Sequence, residues 1–95
     1  MGNYPSRQVQ LESELKFMFN RLMNKKTIEK SDVMSVVNKF KDLKQEDPAT
    51  YTSLANKAVS LNSSFTKVSF KGRVKPKEWE KLNLIYQEFC GLIAA

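Results

Sequence analysis

The side chains in this sequence that are best suited to binding chemistry are cations, and they are concentrated in one segment. Between Pro48 and Lys77 there are six basic residues and no acidic residue. The 95-residue chain has 16 Lys and Arg against 10 Asp and Glu, so the rest of it is neutral and the whole excess of +6 lies in this segment. The six cations are Lys57, Lys67, Lys71, Arg73, Lys75 and Lys77.

The same segment contains other groups that nucleic-acid contacts use. Phe65 and Phe70 could stack on bases, and neighbouring Ser and Thr hydroxyls could bond to phosphates. Cations and apolar residues alternate over residues 65–75, which predicts an extended segment or a β-hairpin broken at Gly72. This pattern predicts nucleic-acid binding through residues 57–77, with Phe70 as a candidate stacking residue. The same cations could instead attract an acidic protein, or form a solvated edge that blocks aggregation.

Catalytic chemistry is disfavoured by the residue types that are missing. The chain has no His, one Cys (Cys90), and three isolated glycines, Gly2, Gly72 and Gly91. It therefore has no imidazole to activate a nucleophile, no set of zinc ligands and no glycine-rich phosphate-binding loop. We expect a non-enzymatic protein without catalytic residues, bound metal or cofactor. Cys90 is expected to be a small buried hydrophobe, and a single thiol favours a reducing, cytoplasmic location.

The elements that must position these cations are helices. Apolar residues recur every three or four positions in four stretches, which predicts a mainly α, small four-helix bundle. We expect residues 1–95 to form a single helical domain, with residues 1–6 frayed and the extended basic segment before the last helix. No apolar run reaches the roughly 18–20 residues of a membrane span. The predicted helices cover 7–24, Ser31 (the N-cap) to about Gln45, Pro48 (capped by Asp47) to 62–64, and Pro76 to near the C-terminus.

Two large apolar residues point away from the stripes of their helices. Phe17 on the first helix and Leu84 on the last are candidates for a partner interface or for self-association as a homodimer. A neighbouring helix or the 65–75 segment could instead cover them. Residues 27–30 are predicted to be a connection in which Ile28 reaches the core, and Trp79 is predicted to be buried.

The N-terminal residues Met1-Gly2-Asn3-Tyr4-Pro5-Ser6 fit the N-myristoylation pattern, with Gly2 as the acceptor. A small, basic, helical domain with this start resembles a retroviral matrix protein. The resemblance implies a lipid anchor and a basic face against acidic lipids. It covers six residues and a general architecture. The chain departs from the family because its basic block lies late in the sequence and not on the first helix.

Three functions remain open from the sequence. The first is a small, basic, non-enzymatic accessory protein that binds nucleic acid. The second is a protein-binding regulator or inhibitor, such as an immunity-type or phage host-takeover protein, docking on an acidic partner. The third is a myristoylated, matrix-like membrane-surface protein. The predominance of Lys over Arg and the small size are also common in phage or bacterial accessory proteins. The sequence does not separate the first two functions because both depend on the same cations.

Overall fold

A computed structural model describes residues 7–65, 67–69 and 75–94, and within these ranges it confirms the mainly α, four-helix architecture. The predicted helix bounds agree with the structure to within a few residues. None of the described helices is both long and apolar enough to cross a membrane. The elements are α1 (Arg7–Met23), β1 (Thr27–Ile28), α2 (Lys30–Glu46), α3 (Pro48–Ser64), β2 (Val68–Ser69) and α4 (Lys77–Ala94).

The four helices close into a ring of neighbours. α1 packs against α2 and α4, and α3 also packs against α2 and α4. Short connections make the first three helices antiparallel neighbours. The α2–α3 interface is the most extensive of the four, whereas α4 is held by smaller contacts on both sides. A groove lies between α3 and α4.

The start of α3 follows the prediction, and the start of α2 corrects it. Asp47 caps α3, with its carboxylate accepting from the backbone N–H of Thr50 at 3.4 Å, and Pro48 takes the first helical position. The Thr50 side chain lowers the pKa of Asp47 from its ordinary value, against the opposing effect of burial. At α2 the cap is Glu29, not Ser31, because the Asp32 carboxylate accepts from the Glu29 backbone N–H at 2.9 Å. Ser31 therefore lies inside the first turn.

The core is centred on four aromatic rings. The ring centroid of Phe89 lies 6.1 Å from that of Phe19, 5.7 Å from that of Phe40 and 6.4 Å from that of Tyr51. Tyr51 donates its hydroxyl to Glu12, and burial, followed by this carboxylate, raises the pKa of Tyr51 above its ordinary value. These contacts join all four helices through their aromatic side chains. Trp79 is buried as predicted, and Cys90 is half-buried.

The extended segment before α4 pairs with residues 27–28, which the sequence predicts to be part of a connection. β2 runs antiparallel to β1, with Thr27 opposite Ser69 and Ile28 opposite Val68. The Thr27 and Ser69 hydroxyl oxygens are 3.1 Å apart. Ile28 is fully buried, as predicted. The hairpin alternative depends on Gly72, which, with Thr66 and the other residues of 70–74, lies outside the described residues.

Gly91 occupies an exposed position in the last turns of α4. Among the described residues, a Cβ built there meets nothing within 4 Å, so no close contact with them requires a glycine. Glycine in a helix costs roughly 0.5–1 kcal/mol relative to alanine. We therefore expect Gly91→Ala to raise the free energy of unfolding by about 0.5 kcal/mol in urea titrations followed by circular dichroism. A loss of stability would show that this position packs against something.

Candidate polyanion-binding end of the bundle

One end of the bundle gathers most of the unbalanced positive charge. Because consecutive helices alternate in direction, the end of α1, the start of α2, the end of α3 and the start of α4 meet where β1 pairs with β2. We define the basic end as residues 21–32, 65, 67–69 and 75–81. It contains eight cations and four carboxylates. The cations are Arg21, Lys25, Lys26, Lys30, Lys67, Lys75, Lys77 and Lys81, and the carboxylates are Glu29, Asp32, Glu78 and Glu80.

The remainder of the described chain is electrically balanced. It has six cations and six carboxylates, so the net charge of the described residues resides at the basic end. The sequence alone places this excess in one linear segment. The β1–β2 pairing changes that interpretation, because it adds the cations between α1 and α2 to those before α4. A region with an excess of positive charge creates a field that attracts polyanions.

Only some of the predicted binding residues lie at the basic end. Lys67, Lys75 and Lys77 lie at the basic end and are exposed. Lys57 does not lie there: it is in the middle of α3, and its Nζ is 2.8 and 3.0 Å from the two carboxylate oxygens of Glu88 on α4. Three other predicted residues, Phe70, Lys71 and Arg73, lie outside the described residues, as does Gly2.

The contacts of the predicted cations at the basic end are weak enough to be exchanged. Lys67 Nζ lies 3.9 Å from a Glu29 carboxylate oxygen, and both side chains are well exposed. Exposed ion pairs of this kind contribute about 0–1 kcal/mol. Lys75 Nζ lies 3.7 Å from the centroid of a Trp79 ring, which holds the ammonium against the protein surface. No described carboxylate forms an ion pair with Lys77. A phosphate could therefore replace or join these partners.

Phe65 is not available to stack on bases. It is 2% exposed and belongs to the core, directly after α3. Its extended backbone (φ −81°, ψ 131°) ends the helix, and its N–H donates to the Asn62 carbonyl. The expected role of Phe65 in stacking is therefore wrong.

Five cations of this end lie outside the predicted segment 57–77: Arg21, Lys25, Lys26, Lys30 and Lys81. Lysines near a helix C-terminus interact favourably with the negative end of the helix dipole. This local effect explains Lys25 and Lys26 without a binding role. A signal for their wider placement was present in Thr27–Ile28, two β-branched residues that favour strands. Pairing of this short strand with the basic segment is what brings the two groups of cations to one surface.

A cleft at the basic end separates α1 from α2. Its volume is about 190 Å³, and its polar rim includes Arg21, Lys25, Asp32 and Ser35. Lys25 Nζ lies 3.1 Å from both carboxylate oxygens of Asp32, whereas Arg21 is exposed and forms no ion pair with a described carboxylate. Arg21 is the one described guanidinium at this end. It can make the bidentate phosphate contact that lysine cannot.

The two candidate interface residues are both exposed, and one of them lines a groove. Phe17 is 63% exposed on α1, and Leu84 is 59% exposed on α4. Leu84 lines the groove between α3 and α4, which has a volume of about 380 Å³ and is lined by residues of those two helices. Phe17 is not among them. The interface formed by Phe17 and Leu84 therefore stays a prediction.

Likeness to known proteins does not assign a role to either surface. Comparison with protein-family models, with curated proteins and with solved structures finds no match to this chain. The geometry of the basic end and of the α3–α4 groove therefore provides the basis for assigning a function.

Proposed function

We propose that this chain is a non-enzymatic nucleic-acid-binding protein that contacts the phosphate backbone through the basic end of its bundle. The observation that carries the proposal is the β1–β2 pairing, which places Lys26 and Lys30 on the same end as Lys67, Lys75 and Lys77. Contacts between lysine side chains and phosphates supply affinity that does not depend on base sequence, because they release counterions from the nucleic acid. They position a protein on the duplex without reading its bases.

The composition of the surface favours a polyanion over an acidic protein. Protein interfaces draw most of their affinity from buried aromatic or apolar anchors. The large exposed apolar residues of the described chain lie outside the basic end, the nearest in sequence being Met34 on the second turn of α2. An extended polyanion needs no such anchor, since duplex DNA presents one charge about every 1.7 Å along its axis. The surface therefore matches distributed phosphates better than it matches a protein partner.

The test is a salt titration of binding. Fluorescence anisotropy with a labelled duplex of random sequence and a labelled single strand should show measurable binding at low salt. With about four or five phosphate contacts, the logarithm of the affinity for duplex DNA should fall with the logarithm of salt concentration with a slope near −4. The slope on single strands should be shallower.

The opposite result is equally clear. If neither DNA nor RNA binds measurably at low salt, the nucleic-acid function is wrong. The basic end would then be reassigned to an acidic protein partner, for which charge complementarity mainly raises the association rate.

A further inference from the structure

The outer face of α4 is an apolar and charged surface that packing among the described residues leaves open. Leu84 is 59% exposed at its centre, and Leu61 and Ile85 form the buried floor of the adjoining groove. The charged residues of the groove are Lys57, Lys81 and Glu88. The surface lies beyond the basic end for most of its length and needs an explanation of its own.

The charges on this face are ordered about Leu84. Lys81 lies three residues before Leu84 and Glu88 lies four residues after it, so both flank Leu84 on one side of the helix. Glu80 and Gln87 flank Leu84 on the other side. All of these side chains are exposed. A cation therefore precedes the apolar centre and a carboxylate follows it, on the same side.

We propose that a second copy of this chain occupies the face, with the two α4 helices packed antiparallel about a two-fold axis at Leu84. A two-fold interface brings the same patch of both copies together, so residue i meets residue j and j meets i. Leu84 then contacts Leu84 of the second copy. Lys81 of each copy lies opposite Glu88 of the other, and Glu80 lies opposite Gln87, so no like charges are opposed.

The intrachain partner of Glu88 is compatible with this arrangement. Lys57 Nζ holds the Glu88 carboxylate at 2.8 and 3.0 Å. An ionised carboxylate has about four acceptor positions, so it can accept from Lys57 and from Lys81 of the second copy together.

Charge complementarity favours a second copy over an acidic peptide. Such a peptide would be attracted to Lys57 and Lys81 but repelled by Glu88, which lines the same groove. The outer face of α4 carries Lys81 before Leu84 and Glu88 after it. Two antiparallel copies of this face therefore place opposite charges against each other. The dimer does not depend on the nucleic-acid function, and it is measured without nucleic acid.

The experiment exchanges the two charges in separate chains. By sedimentation velocity the wild-type protein should be dimeric at high micromolar concentration. Lys81→Glu and Glu88→Lys should each raise the dimer dissociation constant about tenfold or more, because each variant opposes like charges twice. An equimolar mixture of the two variants should recover the dimer, because both symmetry-related contacts then join opposite charges again.

Matched controls separate the interface from the fold. Phe17→Glu replaces an equally exposed apolar residue on α1 and should leave the dimer intact, whereas Leu84→Glu should abolish it. Circular dichroism should show each variant to be as helical as the wild type. A wild-type protein that remains monomeric at high concentration, or a mixture that remains monomeric, overturns the proposal.

Discussion

Replacing Phe89 by alanine should lower the free energy of unfolding by about 4 kcal/mol, within the usual range for a fully buried phenylalanine. The side chain is completely buried, and its ring contacts those of Phe19, Phe40 and Tyr51. The substitution removes apolar burial, leaves a cavity and breaks three ring contacts at once. A domain of this size has roughly 5–10 kcal/mol of stability, so the variant should be close to unfolding. Urea titration followed by circular dichroism and Trp79 fluorescence measures the loss.

The matched control is Leu92→Ala, one turn further along the same helix. Leu92 is 41% exposed, so its truncation removes much less buried surface than that of Phe89 and should cost about 1 kcal/mol. A loss below about 1.5 kcal/mol for Phe89→Ala would contradict the packing of α4 on the aromatic core. Comparable losses for the two variants would also contradict it.

The sequence predicted the features that depend on residues close together in the chain. Apolar residues repeating every three or four positions specified four helices, and the chemistry of Asp47 and Pro48 specified where α3 begins. Both depend on residues within one or two turns of each other. The first turn of α2 was predicted less well, because two side chains compete there. Asp32 bonds back to the Glu29 backbone and moves the cap two residues before Ser31.

The features that the sequence did not predict depend on distant contacts. Thr27 and Ser69 are 42 residues apart, and strands of two residues show no recognisable periodicity. The neutralisation of Lys57 by Glu88 crosses from α3 to α4 in the same way. Counting charges along the sequence detects neither contact. It therefore included Lys57 in the predicted site and left out Lys26 and Lys30.

This difference makes the cations between α1 and α2 the decisive residues for the proposed nucleic-acid function. If they belong to one surface with the basic segment, replacing Lys26 and Lys30 together by Gln should reduce the salt slope on duplex DNA by about two. Each lost phosphate contact removes about 0.9 of slope, so extrapolation from 1 M salt to 0.15 M salt gives an affinity loss of about 30-fold. Anisotropy titrations with the same duplex measure both quantities.

Two comparison variants determine how that result is interpreted. Lys75→Gln with Lys77→Gln should have a similar effect, and all four substitutions together should weaken binding about 1,000-fold. Lys16→Gln with Lys41→Gln removes the same charge from exposed positions in the neutral part of the described chain, and should change the affinity far less. If the 75/77 pair weakens binding while the 26/30 pair behaves like the 16/41 control, the binding surface is the linear segment alone. The β1–β2 pairing would then have no part in forming it.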